Sequence, residues 1–126
     1  MSYFPSEFDL VFDATTTETA TGRQINGKDT YIKVIEIGSS LSTGANSQAH
    51  GISVLDQVLR SNITCVRPVS GAGNEDICVP FITSSTTFGV GCQFDATNMI
   101  INVGTGWTGT NNILTSCRAI LEYTKV

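Results

Sequence analysis

The sequence is poor in charged residues and in the side chains on which enzymes most often rely. Only 14% of the 126 residues are charged, the net charge is −4, and there is a single histidine, His50. Charged residues make up about 25% of a typical domain, so uncharged polar groups or further protein must cover this surface. The seven basic residues are scattered. Binding to nucleic acid needs clustered Lys and Arg, so we predict no nucleic-acid partner.

Long apolar runs are also missing. No stretch approaches the ~20 apolar residues of a membrane-spanning helix, so no membrane insertion is predicted. The N-terminus lacks the basic and apolar regions of a signal peptide, which indicates synthesis in a cytoplasm. The four cysteines, Cys65, Cys78, Cys92 and Cys117, have neither zinc-ligand spacing nor a C-x-x-C pair. We interpret them as buried thiols, with a disulfide or a metal site as the alternatives.

The common catalytic motifs are absent. The nucleophile elbow, the H-E-x-x-H motif and the phosphate-binding loops do not occur. Glycines 104, 106 and 109 match G-x-G-x-x-G formally, but no helix is predicted after them. His50 lies between a flexible loop and a turn, where a structural role is expected. We predict no enzyme, cofactor or metal site, although spacing leaves a glycosidase-type pair of carboxylates open. Asp95 with Asn98, and residues 74–76, are interpreted as turn formers rather than calcium ligands.

What the sequence does contain is short β-rich segments between turn residues. Asn26-Gly27 predicts a tight hairpin, because both residues adopt positive φ readily. Residues 30–37 predict a strand that is buried on both faces. Residues 88–94, 99–103 and 117–123 alternate between apolar and polar positions, as half-buried strands do. The only helical pattern is residues 53–60, where Ser53 could cap a two-turn helix. The predicted fold is all-β, an antiparallel, jelly-roll-like β-sandwich with at most one short helix.

The remaining segments follow from composition. We predict loops at 38–48, 70–75 and 104–112, a turn at 95–98, a strand at 62–67 that Pro68 stops, and a strand at 77–83. Pro80 marks this last strand as an edge or bulged strand, because proline has no N–H donor.

Two groups of residues are candidates for binding. Trp107 stands in a glycine loop beside Thr105, Thr108 and Asn111, where an exposed ring could stack on a sugar. The alternative is that Trp107 folds over the core or over a neighbouring subunit. The second group is near the N-terminus, where apolar residues precede a threonine-rich tether and could dock as a strand on another protein. These are Phe4, Phe8, Leu10 and Phe12. The alternative for them is an ordinary first strand of the sandwich.

Three short motifs resemble a known family. Thr17-Glu18, Gly22, Asn26-Gly27-Lys28, Tyr31 and Lys33 form the first, Ala49-His50-Gly51-Ile52 the second, and residues 120–125 (Ile-Leu-Glu-Tyr-Thr-Lys) the third. In this order the motifs resemble the C-terminal head domain of tail fibre proteins of tailed bacteriophages. The resemblance covers residues 17 to 126.

The resemblance implies a homotrimeric β-sandwich head domain in a virion, at the tip of a fibre, that contacts a glycan or protein of the host surface. Residues 1–16 would then form an arm that attaches to other virion proteins, and residues 17–126 the head. The alternative is a structural protein, a head fibre or tail decoration, that binds no receptor.

Overall fold

The computed structural model describes residues 15–69, 73–82, 86–108 and 113–126. In this part the chain is all-β, as predicted, and its strands form two antiparallel sheets. The eight strands are β1 (Thr19–Ile25), β2 (Lys28–Ile37), β3 (Gly44–Ala49), β4 (Leu55–Val69), β5 (Gly73–Val79), β6 (Val90–Phe94), β7 (Asn98–Val103) and β8 (Ser116–Lys125). One sheet has the order β1-β2-β8-β4-β5 and the other the order β3-β7-β6.

The predicted hairpin at Asn26-Gly27 is confirmed. Ile25 pairs with Lys28, and the two residues between them have φ values of 52° and 77°. Positive φ at both central positions is the geometry that a two-residue turn needs to match the twist of its strands. Buried residues also occur on both faces of β2, where Thr30 and Ile32 lie on one face and Ile35 and Ile37 on the other.

The predicted helix at 53–60 is wrong. Residues 53 and 54 form a turn, with Val54 at φ 51°, and the fifteen-residue strand β4 begins at Leu55. A two-turn helix is marginal without tertiary support, whereas Asp56 finds partners on two other strands, in Lys28 and Thr124. Pairing with distant segments therefore overrides the weak local preference. The only described helical residues are a 3₁₀ turn at Thr86–Phe88.

Several predicted strand boundaries were also wrong. Strand β3 occupies part of the predicted loop 38–48, and β5 begins inside the predicted loop 70–75 and ends at Val79, before Pro80. Pro68 does not stop its strand, because β4 continues past it and pairs it with Asn74. The backbone N–H of Thr115 donates to Val66 just before β8 begins. Pro68 thus lies beyond β8, where its missing N–H costs no bond to that strand.

The chain divides into two compact units. Of the described residues, unit 1 comprises 15–34, 52–61 and 120–126, and unit 2 comprises those within 35–51 and 62–119. Residues 1–14 of the predicted arm lie outside the described residues. The predicted boundary between residues 16 and 17 therefore stays a prediction. No helix in the described part of the chain has both the length and the apolar character to span a membrane.

Unit 2 holds the three-stranded sheet and most of the buried apolar side chains. Met99, Ile101 and Val103 alternate along β7 and are at most 4% exposed, as the sequence predicted. Each such side chain contributes about 1.5–3 kcal/mol by leaving water. Their neighbour Asn102 is exposed, so this sheet has one apolar and one polar face.

In unit 1, the end of β8 is buried on both faces. Leu121 and Tyr123 are fully buried on the predicted inward face. Glu122 and Thr124, which alternation places on the opposite face of the strand, are also only 8% and 3% exposed. The second face is closed by long polar side chains rather than by apolar ones.

Candidate functional site

In unit 1, the first and last of the three motifs meet in one hydrogen-bonded cluster. The hydroxyl of Tyr123 donates to Oε1 of Glu18 at 2.6 Å, and Nζ of Lys125 donates to Oε2 of the same carboxylate at 2.9 Å. Tyr31 stacks on Tyr123 with ring centroids 6.0 Å apart, and Nζ of Lys125 lies 4.7 Å from the centre of the Tyr31 ring. All four of these side chains belong to the motifs on which the family resemblance depends.

The groups of this cluster shift one another's pKa values. Burial alone would raise the pKa of Glu18, but the hydrogen bonds from Tyr123 and Lys125 and the charges of Lys125 and Lys33 outweigh it and lower this pKa. The hydrogen bond to Glu18 raises the pKa of Lys125. Burial and the carboxylate of Glu18 raise the pKa of Tyr123. At neutral pH the cluster therefore holds an ionised Glu18, a protonated Lys125 and a neutral Tyr123.

A second polar cluster covers the other face of β8. Glu122 accepts from Nη2 of Arg23 and from Nε of Arg60, both at 3.0 Å, and its side chain is only 10% exposed. Beside it, Asp56 accepts from Nζ of Lys28 at 2.8 Å and from the hydroxyl of Thr124 at 2.9 Å. The hydrogen bonds from Lys28 and Thr124 lower the pKa of Asp56.

Each ionised group in these two clusters is already bound by another side chain of unit 1, so a ligand would have to break existing bonds to enter. The motif residues of the two chain ends thus link strands of the five-stranded sheet.

The single histidine is structural, as predicted. His50 is 2% exposed, and its Nε2 lies 2.9 Å from the backbone oxygen of Asp95. The backbone N–H of His50 donates to the oxygen of Thr97. Asp95 in turn accepts from the N–H groups of Thr97 and Asn98, which lowers the pKa of its carboxyl. Asp95 therefore forms the predicted turn, and His50 of the motif at 49–52 is hydrogen-bonded to this turn.

The structure places Trp107 in the interior rather than in an exposed sugar-binding position. Its ring is 3% exposed, its Nε1–H donates to the carbonyl of Phe88 at 2.8 Å, and the rings of Phe81 and Phe88 approach it edge-on. The guanidinium of Arg67 lies 5.7 Å from its centre. Of its predicted companions, Thr105 and Thr108 are exposed, while Asn111 lies outside the described residues. The alternative, a ring folded over the core, is the correct one.

All four cysteines are free thiols. Cys65 and Cys117 are buried, as predicted, and Cys92 is half-buried, but the prediction is wrong for Cys78, which is exposed on the edge strand β5. Burial, with the nearby Cys117, raises the pKa of Cys92 to about 12, so this thiol stays protonated at neutral pH. The described residues contain no group of three or more His, Cys, Asp or Glu side chains that could hold a metal ion. Residues 74–76, predicted to form a turn, lie in β5 instead.

The predicted attachment residues Phe4, Phe8, Leu10 and Phe12 lie outside the described residues. The described surface does contain a groove in unit 2 that the sequence analysis missed. Its volume is about 470 Å³, and it crosses β2, β8, β4 and β5. Its polar lining residues are Glu36, Thr64, Asp76, Ser116 and Arg118.

The polar side chains of the groove lie on the face of the sheet opposite the side chains of Cys65 and Cys117, although Cys117 is also among the lining residues. Thr64 flanks the buried Cys65 on β4, and Ser116 and Arg118 flank the buried Cys117 on β8. Side chains alternate between the faces of a strand, so these three point outward. Glu36 and Arg118 form an ion pair of 2.5 Å across the groove. Sequence reasoning missed it because its residues come from four strands, and no local pattern marks them.

No protein-family model, no curated protein and no solved structure matches this chain.

Proposed function

We propose that this chain is a bacteriophage virion protein whose residues 17–126 form a homotrimeric head domain, displayed on a tail fibre to bind the host surface. The supporting observation is the cluster of Glu18, Tyr31, Tyr123 and Lys125. These residues were singled out by resemblance to fibre head domains, and they bond to one another across the length of the chain. The proposal explains why two motifs at opposite ends of the chain form one bonded cluster on neighbouring strands.

The proposed fold is a jelly-roll-like β-sandwich. Within unit 2, both sheets contribute side chains that are at most 2% exposed, Met99 and Ile101 from β7 and Cys65 and Cys117 from β4 and β8, which favours two sheets facing each other across one core. The low charge of the surface favours contact with further copies of the chain. Residues 1–16 would attach the head to other virion proteins.

The test is binding of the fluorescently labelled full chain to a panel of bacterial strains, read by flow cytometry. A host-binding head stains a narrow subset of strains, saturates, and is displaced by excess unlabelled protein. Absence of saturable staining on every strain would contradict host binding.

The second candidate is a structural decoration protein of the capsid or tail. The burial of Trp107 favours it, because the one tryptophan of the chain then offers no exposed ring to a host sugar. Such a protein would stain no strain but would bind to virions that lack it.

A further inference from the structure

We propose that the groove in unit 2 is a binding site for a neutral saccharide. This inference deepens the proposed function, on which it rests, by naming the class of ligand and the residues that would hold it. The volume of the groove, about 470 Å³, falls within the roughly 300–1,000 Å³ of small-molecule sites.

Unused hydrogen-bonding capacity is concentrated in the groove. Within the described residues, the side chains of Thr64, Asp76 and Ser116 have no hydrogen-bond or ion-pair partner in the protein. In this respect they differ from the polar side chains of the two clusters in unit 1, which are bound to one another. A hydroxyl both donates and accepts, and a carboxylate accepts up to several bonds. The groove therefore offers both donors and acceptors to an entering ligand.

The β-sheet holds these groups on a rigid frame. Asp76 lies opposite Val66 in the β4–β5 ladder, and Thr64 lies two residues further along β4 on the same face. Residues opposite or diagonal across two strands have their Cβ atoms about 5–8 Å apart, a spacing that neighbouring hydroxyls of one sugar ring can bridge. Val66, directly opposite Asp76 and next to Thr64 on the same face of β4, supplies an apolar contact for the C–H face of the ring.

The charge of the groove selects among saccharides. It contains two carboxylates, Glu36 and Asp76, against one guanidinium, Arg118. The guanidinium is already paired with Glu36, so an anionic sugar or a phosphate would meet an unpaired carboxylate and no free cation. The carboxylate of Asp76 would repel an anionic group bound in the groove, and the chain as a whole carries a net charge of −4. A neutral sugar satisfies Asp76 and both hydroxyls without this cost.

The test compares the full chain with Asp76→Asn and Thr64→Val variants on an array of neutral and anionic oligosaccharides, followed by calorimetry with the best neutral ligand. Thr64→Val conserves shape and removes the hydroxyl. We expect wild type to bind neutral glycans and each variant to bind at least tenfold more weakly. The matched control is Glu75→Gln, whose side chain belongs to the adjacent residue of β5, pairs with Arg67 and does not line the groove. It should bind within twofold of wild type.

Several results would overturn the proposal. These are no binding to any neutral saccharide, preference for anionic ones, or wild-type affinity in both groove variants. A loss of solution mass in the Asp76→Asn variant would instead make the groove a contact between copies of the chain. Staining of cells distinguishes a failure of the proposed groove site from a failure of the proposed host-binding function. If wild type and Asp76→Asn stain a strain equally, the groove is not the site but the proposed function stands, whereas failure of wild type to stain any strain counts against the function itself.

Discussion

The hydroxyl of Tyr123 donates to Oε1 of Glu18 at 2.6 Å, which joins two residues 105 positions apart in the sequence. The ring of Tyr123 is fully buried, and the carboxylate is held on its other oxygen by Lys125. This bond ties the segment before β1 to the last strand of the chain. Together with the Lys125–Glu18 ion pair and the stacking of Tyr31 on Tyr123, it links the two ends of the domain.

Replacing Tyr123 with Phe should therefore lower the free energy of unfolding by about 1.5–3 kcal/mol, the range for hydrogen bonds to charged groups. Urea denaturation followed by circular dichroism measures it. Tyr31→Phe is the matched control, because the Tyr31 hydroxyl has no hydrogen-bond partner in the described residues while its ring stacks on Tyr123. Equal losses in the two variants would mean that the bond to Glu18 contributes nothing.

The stability of the protein should fall in acid. The pKa values of Glu18, Asp56 and Asp95 all lie below their ordinary values of 4.5, 3.8 and 3.8. A carboxyl with a lowered pKa in the folded state stabilises above its unfolded pKa, and this contribution is lost as pH falls through the folded value. Urea midpoints should stay level from pH 7 to about pH 5 and fall below it.

The Glu18→Gln variant isolates one part of this pH dependence. It should be less stable than wild type at pH 7 and lose less stability between pH 5 and pH 3. A variant whose curve runs parallel to that of wild type would show that Glu18 does not titrate as the structure requires.

Removing Glu122 should cost more than removing Arg60. Glu122→Ala removes the carboxylate that both guanidiniums share, but the Arg23 and Arg60 side chains are 49% and 71% exposed and regain water, so we expect a loss of about 1–2 kcal/mol. Arg60→Ala should cost less than about 1 kcal/mol, because the Arg60 side chain is 71% exposed and Arg23 remains on the carboxylate. Similar losses in the two variants would contradict the view that burial of Glu122 sets the energy of this cluster.

The loop before Trp107 requires glycine for reasons of space. A Cβ at Gly106 would lie 2.7 Å from Cγ2 of Thr87 and 2.9 Å from the ring of Phe88, which itself packs on Trp107. Gly106→Ala should destabilise the protein by about 1–3 kcal/mol. A Cβ at Gly91 would meet nothing within 4 Å, so Gly91→Ala is the control and should be neutral or slightly stabilising. A neutral Gly106→Ala variant would show that this loop packs less tightly than described.

Trp107 should matter for stability and not for binding. Trp107→Phe removes the N–H that donates to Phe88 and leaves a gap among Phe81, Phe88 and Arg67. We expect a loss of about 2 kcal/mol in the free energy of unfolding and unchanged staining of cells that wild type binds. Lost staining in a variant that remains folded would restore Trp107 as a binding residue.

The local parts of this structure could be predicted from the sequence, and the non-local parts could not. The hairpin at Asn26-Gly27 follows from two adjacent residues, and the burial of Met99, Ile101 and Val103 follows from simple alternation. The segment from Leu55 to Arg60 was misassigned because its strand character comes from pairing with β8, more than sixty residues away. The sequence left open whether Trp107 is exposed or folded over the core, because its partner Phe88 is nineteen residues distant.

The candidate site was the least predictable feature. Asp76 and Thr64 look unremarkable in their own segments, and only the ladder between β4 and β5 brings them to one face. The motif residues, in contrast, were recognisable in sequence but turned out to hold the sheet together.

A trimeric head domain should be directly visible as mass in solution. The chain has a mass of 13.4 kDa, and multi-angle light scattering on the full chain should give about three times that value at micromolar concentration. The same stoichiometry should persist in a form lacking residues 1–16, if the interface belongs to the head rather than to the arm. A monomer in both forms would contradict the trimeric head and favour a decoration protein that assembles only on its particle.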